Sequence, residues 1–294
     1  MTEFLKGVAT ALITPFTKDG VNFDALAHII DGQIGAGIDA LVVLGTTGEP
    51  STMTEEEKAN VITFSNFQIN RRCKLIVGSG GNNTAQAAFA TKKAESLGAD
   101  GILAVTPYYN KCTQNGLYEY YKAIAESTSL PVICYNVPAR TGVNILPETM
   151  ARIAEIPNIA GIKEAGGNMA QIMETMRLIR GKCDLYSGDD FLNLPILAAG
   201  GAGLISVVSG LAPAGVKALF EAVSRGDLGE ANRLNDALLP LINACFLEVN
   251  PIPVKAGMNL LGVAAGLPRA PLTQLEPPHL EQLKKALKEY GVIK

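Results

Sequence analysis

Eight short apolar runs rich in Val, Ile and Leu recur along this chain of 294 residues, and a longer segment with helical spacing follows each of them. Such an alternation is typical of βα units, in which parallel strands are joined by right-handed crossovers. The runs begin near Val8, Ala40, Lys74, Gly101, Pro131, Ile159, Asp184 and Ala202. Eight βα units are the number that closes a (β/α)8 barrel, the TIM-barrel fold of the α/β class.

An open, doubly wound sheet is the competing α/β architecture. That fold places a glycine-rich nucleotide loop directly after its first strand. Here the first run ends at Ile13-Thr14-Pro15-Phe16, which contains no glycine. The sequence therefore favours the closed barrel.

The chain is longer than a barrel requires, since about 250 residues suffice for that fold. The surplus falls after Leu211, where helix-like stretches continue without strand signals. No linker rich in Pro, Ser or Gly separates the two parts. We therefore expect a catalytic barrel over residues 1–225 and, packed on it, a C-terminal helical extension over residues 226–294.

Composition excludes several classes of function. The formal net charge is -3, and the sequence shows no basic stripe of the kind that nucleic-acid binding requires. No apolar run is long enough to cross a bilayer, and the N-terminus lacks a signal-peptide pattern. The five cysteines are scattered without a Cys-x-x-Cys pair, and there are only two histidines. We expect a cytoplasmic protein that binds neither nucleic acid nor membranes and holds no metal.

Lys163 is the first candidate for chemistry, because it ends the sixth run and barrel active sites lie at the C-terminal ends of strands. Strand alternation places Lys163 on the same face as Gly161, which leaves space beside the amine. Desolvation at an apolar rim favours the neutral amine that Schiff-base formation with a ketone requires. Position alone leaves an alternative open, an ion pair with Glu164 or another carboxylate at the rim.

Three further candidates follow other runs. Tyr135 ends the fifth run and has a phenol that can transfer protons, although a packing role is the alternative. Arg140 follows in a strand-to-helix loop, where its guanidinium can bind a substrate carboxylate or form a surface salt bridge. The segment 45–49, Gly-Thr-Thr-Gly-Glu, offers hydroxyls and backbone N–H groups to a small carboxylate.

Seven segments resemble, in order and nearly from end to end, the dihydrodipicolinate synthase family within the N-acetylneuraminate lyase superfamily of pyruvate aldolases. They are residues 7–16, 45–49, 106–109, 135–141, 161–164, 187–189 and 250–255. One such match is weak evidence, whereas seven matches in order are strong.

The resemblance implies catalytic roles for four residues. Lys163 forms a Schiff base with pyruvate, so no cofactor is needed, and Tyr135 donates and accepts protons in a relay with Thr46 and Tyr109. In this family the residue at the Tyr109 position reaches into the active site of a neighbouring subunit. The resemblance therefore implies a homotetramer built from two tight dimers.

The resemblance also implies two groups of binding residues. Thr47 and the backbone near Ile205 hold pyruvate, while Arg140 and Gly188 receive the second substrate, L-aspartate 4-semialdehyde. An N-acetylneuraminate or 2-keto-3-deoxy sugar-acid lyase is the first alternative, and it does not need Arg140. A catalytically silent barrel that binds a keto acid is the second.

Regulation by lysine is expected to be weak or absent. Relatives that lysine inhibits have histidines in place of Glu55 and Lys58 and a glutamate in place of Gln86. Only Asn82 and Tyr108 match their lysine pocket. Without the acid at position 86, a cationic amino acid loses its charge-assisted partner.

Overall fold

The barrel is closed in the computed structural model, which describes residues 4–294. Eight parallel strands form it in the order β1-β10-β9-β8-β7-β6-β5-β4, and β1 also pairs with β4. The barrel strands are β1 (Gly7–Ala11), β4 (Ala40–Val43), β5 (Lys74–Gly78), β6 (Gly101–Val105), β7 (Val132–Asn136), β8 (Ile159–Glu164), β9 (Asp184–Ser187) and β10 (Gly203–Ser206). Each strand lies within one of the eight predicted runs, so the (β/α)8 prediction is confirmed.

Twelve α-helices accompany the strands in the described range. They are α1 (Phe23–Gly35), α2 (Glu55–Ile69), α3 (Thr84–Ser96), α4 (Gln114–Glu126), α5 (Pro138–Thr141), α6 (Pro147–Ile153), α7 (Met169–Ile179), α8 (Asn193–Ala198), α9 (Pro213–Ser224), α10 (Leu228–Cys245), α11 (Ile252–Leu260) and α12 (Pro277–Tyr290). Local sequence explains several starts. Thr54 and Glu57 form a capping box at α2, which satisfies two backbone N–H groups. Pro147 occupies the first turn of α6.

Two apolar cores result from the alternation of side chains along the strands. The inner core fills the barrel and includes Val42, Ile76 and Ile133, which are fully buried. The outer core lies between the strands and the helices and is larger. It includes Leu241 of α10 and Leu283 of α12, so the helices beyond the barrel share this core.

The C-terminal helices continue from the last helix of the barrel repeat. Helix α9 ends at Ser224 and α10 begins at Leu228, with α10 packed on α9 and α12 packed on α10. We propose to divide the chain into a barrel of residues 1–225 and an extension of residues 226–294 at the turn between α9 and α10.

The extension also reaches the C-terminal rim of the barrel, where the strands end. A hairpin of β2 (Phe16–Thr17) and β3 (Gly20–Val21), which the sequence did not predict, follows β1 there. The backbone N–H of Phe16 donates to the carbonyl of Ala265 at 3.0 Å. The barrel rim is therefore partly covered by residues from the far end of the chain.

Within residues 4–294, no helix combines the length and the apolar character needed to span a membrane.

Candidate active site

A cavity of about 430 Å³ opens at the C-terminal rim of the barrel. Strand ends, rim loops and the extension all line it, among them Thr46, Tyr135, Arg140, Asn250 and Leu272. A second cavity, of about 450 Å³, lies at the opposite end. Its walls come from residues that precede or start strands, where side chains in barrels serve stability rather than chemistry. The rim cavity is therefore the candidate active site.

Lys163 lies beside Tyr135, which lines the rim cavity. The two residues are register partners on β8 and β7, and the lysine Nζ is 4.3 Å from the centre of the tyrosine ring. Lys163 is only 5% exposed. Within the described residues it forms no salt bridge, and the neighbouring Glu164 instead accepts hydrogen bonds from Asn136 and from the backbone N–H of Gly166. The ion-pair alternative for Lys163 with Glu164 is therefore wrong.

The surroundings of Lys163 favour its neutral form. The pKa of this amine is lowered from 10.5 to about 8. Burial is the main cause, the Asp190 carboxylate opposes the shift, and the nearby Arg140 cation adds to it. At pH 7 an amine with this pKa is neutral in about one molecule in ten, several hundred times more than an exposed lysine. The site thus maintains a nucleophilic amine near neutral pH.

The surroundings of Tyr135 favour its protonated phenol, and Thr46 is its polar neighbour. Burial raises its pKa, while the Arg140 cation and a hydrogen bond with Thr46 lower it in part. Thr46 lies in a 3-10 turn, Thr46–Gly48, that follows β4. A phenol near a hydroxyl and beside an amine can give up a proton and take it back.

Gly188 makes room for the lysine. A Cβ added to Gly188 would lie 2.7 Å from both Cγ and Cε of Lys163. No side chain fits there without displacing the lysine. Gly161 differs from the sequence expectation, because the space above it is occupied by the ring of Tyr186 on β9 and not left free beside the amine.

Arg140 lies in the short helix α5, not in the predicted loop. Its Nη2 donates to the backbone carbonyl of Asn250 at 3.1 Å. Asn250 in turn donates through Nδ2 to the Thr47 hydroxyl at 2.9 Å. One residue of the extension therefore links two predicted binding residues, and the surface salt bridge considered for Arg140 is not formed within residues 4–294.

The remaining two predicted site residues, Ile205 and Tyr109, do not line the rim cavity. Ile205 is on β10, 1% exposed, in the inner core with Tyr135. Tyr109 lies in the loop between β6 and α4, with a φ of 69° and 91% of its surface exposed. Within one protomer, Tyr109 does not line the rim cavity.

Asp190 is a residue that the sequence analysis passed over. It was interpreted with Asp189 as a helix start, and Asp189 does accept a hydrogen bond from the N–H of Phe191. Asp190, however, is 2% exposed and accepts hydrogen bonds from the Ser206 hydroxyl at 2.5 Å and from the N–H of Val207 at 2.9 Å. Its position after the end of β9 is the signal that could have revealed it.

Within residues 4–294 the closed (β/α)8 barrel has a buried lysine without a salt bridge on its sixth strand and a tyrosine beside it on the fifth. This arrangement is typical of one class of enzyme, the lyases that form a Schiff base on lysine. Comparison with known proteins gives the family. Residues 4–290 match the model of the dihydrodipicolinate synthetase family. The chain belongs to this family and is a lyase-type enzyme, which confirms the resemblance seen in the sequence.

Similar proteins match over almost their whole length. The 4-hydroxy-tetrahydrodipicolinate synthase of Acetivibrio thermocellus is 47% identical over 287 residues, which cover 98% of both chains. The crystal structure of the chloride-inhibited dihydrodipicolinate synthase from Acinetobacter baumannii, complexed with pyruvate, superposes with a TM-score of 0.96 at 42% identity and covers 98% of this chain and 99% of that one. A structure described as the first monomeric dihydrodipicolinate synthase variant superposes with a TM-score of 0.96 at 42% identity. The match covers 99% of this chain and 98% of that one.

Proposed function

We propose that this enzyme is a 4-hydroxy-tetrahydrodipicolinate synthase that condenses pyruvate with L-aspartate 4-semialdehyde in the diaminopimelate route to lysine. The observation that carries the proposal is Lys163, a buried amine whose pKa lies near 8 and which has no salt bridge within residues 4–294. It lies next to Tyr135, which lines the rim cavity. Family membership and the relatives' printed activities support it.

The reaction follows from the positions of these groups. The neutral Lys163 amine adds to the keto carbon of pyruvate, and loss of water with a proton from Tyr135 leaves an iminium ion. The iminium acidifies the pyruvate methyl group, and the resulting enamine attacks the aldehyde carbon of the second substrate. That substrate's own amine then displaces Lys163 from the imine carbon, which closes the ring and releases the free lysine.

Two groups of residues bind the substrates in this proposal. Thr47 and the backbone near Ile205 hold the pyruvate carboxylate, and Gly188 and Arg140 receive the amino-acid end of the semialdehyde. Among residues 4–294, the guanidinium of Arg140 is bonded on one side, by the Asn250 carbonyl, which leaves its other N–H groups for a carboxylate. The reaction uses no metal or organic cofactor, because the lysine itself is the electron sink.

We further propose a homotetramer of two tight dimers in which Tyr109 completes the proton relay of the neighbouring subunit. A tyrosine with 91% exposure and a left-handed backbone at a barrel rim is costly in a free monomer, and such strain is common at functional positions. A cytoplasmic location is supported by the five free thiols, none of which is paired.

A coupled assay tests the function. Purified enzyme receives pyruvate and L-aspartate 4-semialdehyde, and a reductase that oxidises NADPH consumes the cyclised product. N-acetylneuraminate cleavage is followed in parallel. We expect turnover in the first assay only. Sugar-acid cleavage without synthase turnover would assign the chain to a lyase branch, and silence in both assays would leave a non-catalytic keto-acid-binding barrel.

Arg140→Ala separates the two substrates in the same assay. We expect a loss of about 1.5–3 kcal/mol in the use of the semialdehyde, the value of a charge-assisted hydrogen bond. The pyruvate adduct on Lys163 should still form fully, although more slowly, because the Arg140 cation helps to lower the pKa of the amine. Loss of the pyruvate adduct in this variant would contradict the role proposed for Arg140.

A further inference from the structure

A buried ion pair joins the C-terminal extension to the loop that carries Thr46 and Thr47. Lys255 of α11 places its Nζ 2.6 Å from Oε1 of Glu49, and the two side chains are 0% and 2% exposed. Burying two charges is unfavourable, and such a pair often adds nothing to stability compared with apolar residues of the same size. Its presence at the rim of an active site therefore calls for another explanation.

Glu49 has a constrained backbone as well as a buried side chain. It directly follows the turn Thr46–Gly48, with a φ of 55° that residues other than glycine rarely adopt. Its second carboxylate oxygen, Oε2, accepts a hydrogen bond from the backbone N–H of Arg269 at 2.8 Å. The extension thus holds both oxygens of the residue that ends the turn.

Lys255 is fixed from another side too. Its ammonium lies 4.1 Å from the centre of the Phe16 ring, and Phe16 is bonded through its N–H to the extension. The lysine is thereby limited to one position, with Glu49 on one side and an aromatic face on the other. A fixed cation of this kind can hold a carboxylate in one place.

We propose that Glu49 and Lys255 are positioning residues, whose ion pair fixes the end of the turn so that the Thr46 hydroxyl meets the Tyr135 phenol. The proposal deepens the proposed function and rests on it, because it requires Thr46 and Tyr135 to transfer protons. Displacement of a catalytic group by about 1 Å can lower the rate by about a hundredfold.

Local contacts hold the backbone of Glu49 but not its side chain. The N–H of Glu49 donates to the Thr46 carbonyl at 3.2 Å, and the Glu49 carbonyl accepts from the Thr52 hydroxyl at 3.1 Å. The Thr14 hydroxyl donates to the Gly48 carbonyl at 2.7 Å, and Asn250 donates to Thr47. Both contacts act upstream of Glu49. Without Lys255, these contacts and the Arg269 N–H keep the turn on the barrel. The Glu49 side chain loses only the ionic partner of its Oε1, so the variant should retain the fold.

A double-mutant cycle tests the proposal. Lys255→Met removes the cation with little change in shape, and Thr46→Val removes the hydroxyl. If Lys255 acts through the turn, we expect Lys255→Met to lower kcat by about tenfold to a hundredfold in the native background and by less than about twofold in the Thr46→Val background. The pyruvate adduct on Lys163 should still form fully, but more slowly.

The chain offers a control at the other end of the barrel, in a Lys–carboxylate pair that is less buried, with side chains 19% and 30% exposed. Lys217 of α9 pairs with Asp39 at 2.6 Å, and Asp39 also accepts the N–H of Val8 at the start of β1. Lys217→Met also breaks a Lys–carboxylate pair but should leave kcat unchanged in both backgrounds. A similar fall in kcat for both lysine variants would show a general structural effect and overturn the proposal.

A second variant covers the case in which Lys255→Met fails to fold. The combined variant Glu49→Gln, Lys255→Met removes both charges and leaves no uncompensated one. The positioning role predicts low kcat in this variant with the same non-additivity toward Thr46→Val. A native kcat in this variant would overturn the positioning role. So would a fall in kcat that is as large in the Thr46→Val background as in the native one. A native enzyme without adduct on Lys163 would instead overturn the proposed function, and full activity of Thr46→Val would overturn both the relay and the positioning role.

Discussion

In the proposed mechanism Lys163 must be uncharged to attack a ketone, and the residues around it determine the fraction of molecules in which it is neutral. Burial and the Arg140 cation disfavour the ammonium form, and the Asp190 carboxylate limits the effect. The balance places the pKa near 8 and not at 10.5. A deeper site without Asp190 would give a more reactive amine but would destabilise the positively charged iminium that follows.

The pH dependence of adduct formation follows from this pKa. Because only the neutral amine reacts, we expect the rate at low pyruvate concentration to rise with pH and to level off above about 8. Borohydride quenching at successive times, across neutral and alkaline pH, measures that rate. A rate that keeps rising up to pH 10.5 would mean that the amine is not shifted in the folded protein.

Gly188 is predicted to act on the first substrate as well as on the second. In Gly188→Ala the new Cβ would overlap the Lys163 side chain, so we expect slower formation of the pyruvate adduct by about tenfold or more. The same trapping experiment measures this rate. Gly167→Ala, in the loop between β8 and α7, is the control, since no atom lies within 4 Å of a Cβ there. The control glycine has a φ of 77°, so its folding should be compared by thermal unfolding. Normal adduct formation with poor use of the semialdehyde would leave Gly188 with a second-substrate role alone.

At the scale of elements, strands and strand ends could be predicted from the sequence. Apolar runs of strand length show where β4 and β8 lie. Because the C-terminal ends of parallel barrel strands meet at one rim, the sequence also predicts that Lys163 and Tyr135 lie close together. Contacts between distant elements could not be predicted in this way. Lys255 and Glu49 are 206 positions apart, and neither local pattern indicates that they pair. Asp190 was missed because a carboxylate before a helix also fits a cap.

The N-terminus of α2 forms the outer part of the rim cavity and bears on regulation. Lys58 lines that part and pairs with Glu55 at 2.7 Å, which holds the pKa of the Glu55 carboxyl below its usual range. Gln86 on α3 is exposed and carries no charge. A cationic amino acid would therefore meet a cation here and no free acid.

We expect lysine to inhibit weakly or not at all, with no effect at sub-millimolar concentration. An inhibition curve in the coupled assay measures this. Gln86→Glu restores an acid at that position and should increase the sensitivity to lysine, because a charge-assisted bond becomes available. Strong sub-millimolar inhibition of the native enzyme would contradict this expectation.

At the scale of the whole molecule, the active site depends on the entire chain. Barrel strands supply the reacting groups, and the extension supplies Asn250, Lys255 and Arg269 to the rim. The division at residues 225 and 226 therefore separates two parts of the sequence but not two functions. We expect a barrel truncated after residue 225 to lose the Thr47 and Glu49 contacts.

Assembly is the second property of the whole molecule. If Tyr109 acts in the neighbouring site, a mixed dimer of Tyr109→Phe and Lys163→Ala protomers has one complete site. Co-expression of the two variants should then restore turnover that neither variant shows alone, with sedimentation to establish the oligomeric state. No recovery in a mixed oligomer would place Tyr109 within its own protomer or outside the relay.

The central claim is that Lys163 forms a Schiff base with pyruvate, and borohydride trapping tests it directly. The enzyme is incubated with pyruvate, reduced and digested, and the peptides are examined by mass spectrometry. We predict one reduced pyruvate adduct per chain, on the peptide that contains Lys163, and none in Lys163→Ala. An unmodified Lys163 in an enzyme that turns over, or an adduct on another lysine, would contradict the account.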